Sequence, residues 1–182
     1  MNSMALFGNT LRFSRLLESH WDRLFRVAYS WTHETSLASD LVQETLSRAL
    51  QNREKIHDPG ALEIWLFKVM ANYWRDTLRR RKDVADLQSI DLVDTETPES
   101  YTERSRLIAQ VHHAIANLNQ DQRQVITLVT LQGFSYEEVA KILDIPVGTV
   151  MSRICRARQN IKKSLRDCSQ QSTSRERMWR LK

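Results

Sequence analysis

Residues 134–163 constrain the fold of this chain more than any other stretch, because they predict two helices joined by a tight turn. Ser135 and Glu138 form an S-x-x-E capping box, and the residues that follow have the spacing of one apolar helical face. Pro146 cannot donate a backbone hydrogen bond and disfavours helical geometry at the residue before it. The first helix is therefore predicted to end before Pro146, and the second to begin near Val147.

The second of these helices is predicted to have one buried face and one polar, basic face. Its apolar residues recur every three or four positions and so form a single stripe. The stripe consists of Val150, Ile154, Ala157, Ile161 and Leu165. The opposite face carries Gly148, Ser152, Cys155, Arg156, Gln159 and Lys163. Small and polar groups at the start of a helix, with cations further along, suit a recognition helix in a DNA major groove. A helical hairpin with a solvated basic face is the alternative, and the capped first helix and short turn favour DNA binding.

The composition predicts a nearly all-helical chain with a basic C-terminal half. The 182 residues include only 4 glycines and 3 prolines, and strand-length alternating patterns are hard to find. The net charge is +5, but it is unevenly distributed. Residues 83–103 contain seven acids and no Lys or Arg, whereas residues 104–182 contain fourteen bases and six acids, a balance of +8. Such a balance suits a polyanionic partner.

The sequence predicts a cytoplasmic protein that needs no cofactor. Cys155 and Cys168 form no C-x-x-C pair, a secretory leader is not apparent, and apolar runs stay well below the roughly 18 residues of a membrane span. Direct membrane insertion is therefore not expected. Nothing resembles a phosphate-binding loop, a catalytic serine motif or a set of metal ligands, so an enzyme is not expected either. Cys155 is predicted to be a small groove-face or packing residue, with a redox sensor as the alternative.

The N-terminal half begins with two predicted helices. The apolar spacing indicates one long core helix over residues 11–32, a polar break at 33–36 and a second helix over 37–51. The second helix turns five apolar residues inward: Leu41, Val42, Leu46, Ala49 and Leu50. Its outer, mildly acidic face carries Asp40, Gln43, Glu44 and Ser47. The pattern alone does not distinguish a partner-binding face from a solvated one.

A loop over residues 52–60 precedes a helix predicted over residues 61–82, which is rich in aromatic residues and ends in a basic run. Aromatic rings beside cations are typical of single-strand binding, because rings stack on unpaired bases while cations follow the backbone. Trp65 and Phe67 are equally compatible with a core position. Tyr73 and Trp74 are adjacent and point about 100° apart, so one of them is expected to reach the surface.

The chain divides into two predicted domains with a tether and a tail. The N-terminal domain covers residues 10–82, and the acidic residues 83–103 are expected to form a flexible linker. Residues 104–165 form the second domain, in which helices over 104–118 and 121–131 are expected to pack under the helix-turn-helix. Residues 166–182 are expected to be a mobile basic tail.

Three stretches, in this order, make the chain resemble an extracytoplasmic-function sigma factor, a two-domain initiation factor of bacterial RNA polymerase. DLVQETLSRAL at 40–50 resembles the polymerase-binding helix of that family. WLFKVMANYWRDTLRRRK at 65–82 resembles its promoter-melting and −10-element helix, and YEEVAKILDIPVGTVMSRICRAR at 136–158 resembles its −35-element helix-turn-helix. The last motif alone is common among regulators, whereas the three together are highly specific.

The resemblance implies roles for individual residues. Contacts to core RNA polymerase would come from Asp40, Leu41, Gln43, Glu44 and Ser47. Contacts to the −10 element of promoter DNA would come from Asn72, Tyr73, Trp74, Arg75, Arg79 and Arg80, together with the loop 56–61. Contacts to the −35 element would come from Thr149, Met151, Ser152, Arg153, Cys155, Arg156 and Gln159.

The chain departs from the family pattern at two places. Met151 stands where the family usually has Lys or Arg, and the pair Tyr73–Trp74 is bulkier than usual. The usual phosphate or base contact at position 151 is therefore expected to be missing or replaced, and the resemblance does not fix the promoter preference. The resemblance also implies an anti-sigma factor as partner, often a membrane-bound one. The competing hypothesis is a stand-alone helix-turn-helix regulator, which usually dimerises, but a dimerisation seam is not evident in the sequence.

Overall fold

A computed structural model describes residues 12–53, 59–85, 110–111 and 113–179, with side chains over 12–53, 60–81, 110–111 and 113–166. The regular structure of these residues is helical, which confirms the all-α prediction. In chain order the helices are α1 (12–19), α2 (Trp21–Thr32), α3 (Thr35–Gln51), α4 (Pro59–Ala85), α5 (110–111 and 113–116), α6 (Gln120–Gln132), α7 (Tyr136–Leu143) and α8 (Val147–Trp179). None of the described helices is both long and apolar enough to cross a membrane.

The single helix predicted over residues 11–32 is instead two helices. The amide of His20 donates to the carbonyl oxygen of Leu17 at 3.0 Å, which closes a turn between α1 and α2. At the other end of α2, His33 adopts a left-handed conformation (φ 55°), and its amide donates to the carbonyl of Tyr29. The prediction was wrong at His20 because the apolar spacing continues through the turn, and periodicity alone cannot detect such a break.

Helices α2, α3 and α4 pack around the first part of the core. Leu24 and Val27 of α2, Val42 of α3, and Leu66 and Phe67 of α4 are all essentially inaccessible to solvent. Each such side chain contributes about 1.5–3 kcal/mol through the hydrophobic effect. One inward-facing prediction for α3 fails, because Leu50 is exposed at the end of the helix.

The C-terminal helices α6, α7 and α8 form the predicted helix-turn-helix and its support. The capping box of α7 is confirmed: the Ser135 hydroxyl accepts from the Glu138 amide at 3.2 Å, and the Glu138 carboxylate accepts from the Ser135 amide at 2.8 Å. Helix α7 ends at Asp144, which adopts the left-handed conformation (φ 57°). The predicted stripe of α8 is buried at Val150, Ile154 and Ala157.

Two helices run further than the sequence predicted. Helix α8 continues to Trp179, through most of the stretch expected to be a mobile tail, and at 1.5 Å per residue it is about 50 Å long. Helix α4 ends at Ala85, inside the expected tether. The remainder of that tether, residues 86–103, lies outside the described residues, as do residues 54–58 of the predicted −10 loop.

The N-terminal and C-terminal helices pack against each other and share one hydrophobic core. Helix α2 lies against α6, and α4 lies against α7. Where α4 meets the start of α7, the rings of Phe67 and Phe134 pack edge to face with centroids 5.1 Å apart. The sequence predicted the two groups of helices but gave no sign of this contact.

Candidate nucleic-acid interface

The first four turns of α8 present the polar face that was predicted to enter a DNA groove. The stripe described above holds α8 against α6 and α7, so the opposite side of the helix faces solvent. The predicted −35 residues that are exposed there are Met151, Ser152, Cys155, Arg156 and Gln159. Thr149 is half-buried, and its carbonyl accepts a hydrogen bond from the Ser152 hydroxyl at 3.0 Å.

Arg153 differs from the other predicted −35 residues because it faces α6. Its guanidinium lies 2.7 Å from the carboxylate of Asp121, and its side chain is half-buried. The charge of Arg153 is therefore compensated within the fold. Arg156, one helical turn further along, presents its guanidinium to solvent. Of these two arginines, Arg156 is the one placed to meet a nucleic acid.

One of the predicted −10 residues of α4, Arg75, lies at the contact of that helix with α7. Arg75 donates from Nη2 to the carbonyl oxygen of Leu143, the last residue of α7, at 2.9 Å. The same guanidinium donates from Nη1 to Asn72 Oδ1 at 3.3 Å. A helix C-terminus carries partial negative charge on its unpaired carbonyls, so α7 offers Arg75 an acceptor that resembles an anion.

Of the adjacent aromatic pair on α4, Tyr73 is the more accessible, as predicted for one of the two. The guanidinium of Arg48 sits 4.7 Å from the centroid of the half-buried Tyr73 ring. Trp74 is only 5 % exposed, and its indole Nε1 finds no acceptor among the described residues. The Trp74 ring is part of the core in the observed arrangement, and its −10 role stays a prediction.

The end of α4 carries the remaining predicted −10 cations. Arg79 pairs with Asp76 at 2.8 Å in an exposed i,i+3 ion pair, and Arg80 is exposed. Exposed pairs of this kind contribute little to stability, about 0–1 kcal/mol. Arg79 can therefore exchange its carboxylate partner for a phosphate at small cost.

The outer face of α3 places most of the predicted polymerase-binding residues together. Asp40, Gln43 and Ser47 are exposed, and Glu44 forms a 2.8 Å ion pair with Arg48. Leu41 is 2 % exposed and belongs to the core, which corrects the expectation that its side chain contacts a partner. The carboxylate of Asp40 remains the clearest charged group of this face.

Sequence reasoning missed a set of polar contacts that join α2 to α6. The indole Nε1 of Trp31 donates to Thr127 Oγ1 at 2.8 Å. Arg23 donates from Nε to Gln132 Oε1 at 2.9 Å, and Gln132 Nε2 donates to the carbonyl of Arg23 at 3.2 Å. No local pattern marks these residues, since each partner lies on a different helix of a different half.

Arg123 of α6 is the central polar group of this contact. Its guanidinium donates to the carbonyl of Trp31 at 3.1 Å and to those of Ile115, Ala116 and Leu118 at the end of α5. Burial lowers the pKa of Arg123, because desolvation disfavours the charged form. The four carbonyl acceptors engage four of the five N–H donors of this cation, which offsets much of the cost of its partial burial.

Both halves of the chain match models of the same protein family. Residues 16–84 match sigma-70 region 2, and residues 108–161 match sigma-70 region 4. The RNA polymerase sigma-H factor of Pseudomonas aeruginosa is 31% identical over 170 residues, which cover 87% of this chain and 88% of that protein. The ECF RNA polymerase sigma-E factor of Haemophilus influenzae is 36% identical over 138 residues, or 69% of this chain and 73% of that protein. The chain belongs to the extracytoplasmic-function sigma factors.

Membership of this family settles the class of function predicted from the sequence. As a sigma factor, the protein directs RNA polymerase to promoters and is not an enzyme. The ECF sigma factor SigE of Mycolicibacterium smegmatis is 34% identical over 155 residues, and the match covers 82% of this chain and 60% of that protein.

Two solved structures share the fold of this chain. The sigma factor RpoE of Bartonella quintana, crystallised with the anti-sigma factor NepR, superposes with a TM-score of 0.71 at 28% identity, covering 85% of this chain and 97% of that one. CnrH in complex with the cytosolic domain of CnrY superposes with a TM-score of 0.64 at 27% identity, covering 91% and 94%. Both superpositions span most of the two-domain arrangement.

Proposed function

We propose that this sigma factor binds core RNA polymerase through the outer face of α3, receives the −10 element on α4 and reads the −35 element with α8. The exposed polar face of α3, the aromatic and basic surface of α4 and the solvent-facing side of α8 support this division of labour. The division corresponds to a polymerase-binding and melting domain over residues 10–82 and a −35 domain over residues 104–165, joined by residues 83–103.

The hydrogen bond between Arg75 and the carbonyl of Leu143 is the observation that carries the rest of the proposal. It joins the proposed −10 helix to the first helix of the proposed −35 domain. The two promoter elements lie about 25 base pairs apart, which is about 85 Å of duplex at 3.4 Å per base pair. Helices in direct contact cannot reach both elements at once. The observed arrangement, called closed below, must therefore open before the protein reads a promoter.

The burial of Trp74 is consistent with a closed arrangement that opens before the promoter is bound. Its indole N–H lacks an acceptor in the closed arrangement, and an unpaired buried donor costs about 1–3 kcal/mol. Opening exposes α4, where the indole can find water or an unpaired base. We infer that Trp74 and Arg75 become available to the −10 element only when α7 withdraws from α4.

We further propose that an anti-sigma factor stabilises the closed arrangement. The RpoE structure named above is a complex with the anti-sigma factor NepR, the CnrH structure is a complex with the cytosolic domain of CnrY, and this chain shares the fold of both. Binding of core polymerase and binding of such a partner would then favour opposite arrangements. Because core polymerase works on the chromosome, the site of action of the protein is the cytoplasm.

Co-elution with core RNA polymerase on size exclusion tests the proposed α3 face. Asp40→Arg reverses the charge at the centre of the exposed face, and we expect it to abolish co-elution while the helical circular-dichroism spectrum stays unchanged. Glu18→Arg, an exposed charge reversal on α1, is the matched control and should co-elute like the wild type. Equal co-elution of the Asp40→Arg variant would refute the assignment of this face.

The same experiment separates the sigma factor from a stand-alone regulator. A regulator that uses only α7 and α8 would bind duplex DNA tightly without polymerase and would ignore the charge at Asp40. A sigma factor acting as proposed binds duplex DNA weakly on its own and gains promoter binding only with core polymerase. Gel-shift titrations with and without core distinguish the two.

A further inference from the structure

The side chain of Met151 is unusually placed for a large apolar group. It is 55 % exposed, more than any other large apolar side chain in the part of the chain with described side chains. It lies in the second turn of α8, on the side that faces solvent rather than α6 or α7. Single exposed apolar residues are common on protein surfaces, so exposure alone decides nothing. Met151 is a candidate DNA-contacting residue because it lies on the face of α8 that is proposed to enter the major groove.

The side chain of Cys155 extends the exposed apolar surface that begins at Met151. Cys155 is exposed one turn further along the same side of α8, since residues four apart are neighbours on a helix. The amide Nε2 of Gln159 lies 3.8 Å from the Cys155 sulfur. Met151, Cys155 and Gln159 therefore form one strip along α8. Polar groups flank the strip at Ser152 and Arg156.

The chemistry of this strip selects among bases. In the major groove each base pair shows its own pattern of donors and acceptors, but only thymine shows a methyl group. Arg or Lys would instead favour the two acceptors of guanine. The thioether of Met151 has no donor and only a weak acceptor, and its unbranched chain adapts to the surface it meets. Van der Waals contact with a methyl group is therefore the interaction that this side chain can make.

We propose that Met151, extended by Cys155, reads the C5-methyl groups of thymines in the −35 element and is a specificity-determining residue of this sigma factor. The proposal rests on the proposed placement of α8 in the −35 major groove. It predicts that part of the −35 preference comes from methyl contact, separable from the hydrogen bonds made by neighbouring polar residues.

Removal of a single methyl group tests the proposal directly. Holoenzyme assembled from core polymerase and the full-length protein first selects promoter fragments from a library with a randomised −35 region. In a selected fragment each −35 thymine, on either strand, is then replaced by deoxyuridine, which removes only the methyl. We expect affinity to fall about fourfold at one or two positions, the effect of burying one carbon group.

Variants of the protein show whether Met151 causes this effect. Holoenzyme with Met151→Ala should bind the thymine and deoxyuridine fragments equally at the affected position. Leu131→Ala, which removes an exposed large apolar side chain of α6, is the matched control and should retain the full discrimination. Retained discrimination in Met151→Ala would overturn the proposal.

Footprinting of the same complexes distinguishes the two levels of inference. If the −35 region is protected but no deoxyuridine substitution matters, methyl reading is refuted while the proposed −35 contact stands. If the −35 region is not protected at all, the proposed placement of α8 fails, and the inference about Met151 fails with it. Protection together with a methyl effect lost in Met151→Ala is the expected result.

Discussion

The indole of Trp31 donates a 2.8 Å hydrogen bond to the hydroxyl of Thr127, 96 positions further along the chain. Both side chains are almost completely buried, Trp31 at the end of α2 and Thr127 in the middle of α6. The bond therefore joins the region 2 half to the region 4 half inside the shared core. It can exist only while the two halves remain in contact.

Breaking this bond should loosen the closed arrangement. Thr127→Val keeps the shape of the side chain but leaves the Trp31 N–H buried without an acceptor, at a cost of about 1–3 kcal/mol. We expect a larger radius of gyration by small-angle X-ray scattering and a lower free energy of unfolding in urea. Trp31→Phe removes the other partner of the hydrogen bond. The double variant should lower the free energy of unfolding by less than the sum of the two single variants.

Thr130→Val is the control for that experiment. Its hydroxyl donates to the carbonyl of Ile126 within α6, so its loss should leave the radius of gyration unchanged. An additive double variant would show that Trp31 and Thr127 are not coupled, and would remove this bond as a determinant of closure.

The substitution Arg75→Ala should have different effects on the free protein and on the holoenzyme. Arg75→Ala removes the contact with the Leu143 carbonyl, so the isolated protein should open, as scattering would show. The same change removes a proposed −10 contact, so holoenzyme should bind single-stranded −10 DNA about three- to tenfold more weakly, the loss of a charged contact partly compensated by water.

Lys68→Ala is the matched control for Arg75→Ala, because Lys68 is an exposed cation of the same helix outside the proposed site. It should change neither the scattering nor the binding of −10 DNA. Unaltered −10 binding in Arg75→Ala would remove Arg75 from the proposed site, whether or not the protein opens.

Arg156 and Arg158 should differ although both are exposed arginines of α8. Arg156 lies on the proposed groove face, so Arg156→Ala should cost about 1–3 kcal/mol of binding and relax base preference at one −35 position. Arg158→Ala should leave base preference intact. Competition binding of holoenzyme with −35 variants measures both, and equal base preferences in the two variants would contradict the proposed orientation of α8.

Local features of the fold were predictable from the sequence. Ser135 and Glu138 bond to each other's backbone three residues apart, so the capping box needs no knowledge of the rest of the chain. The same holds for the stripe at Val150, Ile154 and Ala157, whose spacing reflects the helical repeat. The recognition-helix surface follows from that stripe, because burying one face of α8 exposes the other.

Features that depend on contacts between distant segments were not predictable. Tyr73 and Trp74 are both large and aromatic, and which of them is buried depends on the helices that pack against α4. The partners of Arg75 and Trp31 lie on helices of the other half. Helical periodicity describes one helix at a time, so it carries no information about either contact.

The contact between α4 and α7 has a thermodynamic consequence for promoter recognition. If only the open form binds the −10 element, the apparent dissociation constant equals the intrinsic one divided by the open fraction. A closed form favoured by about 2.7 kcal/mol would leave about 1% of the molecules open and weaken apparent binding about 100-fold. In the proposed mechanism, the hydrogen bond from Arg75 to Leu143 would raise the threshold that core polymerase must overcome, and would keep the unbound protein from occupying promoters.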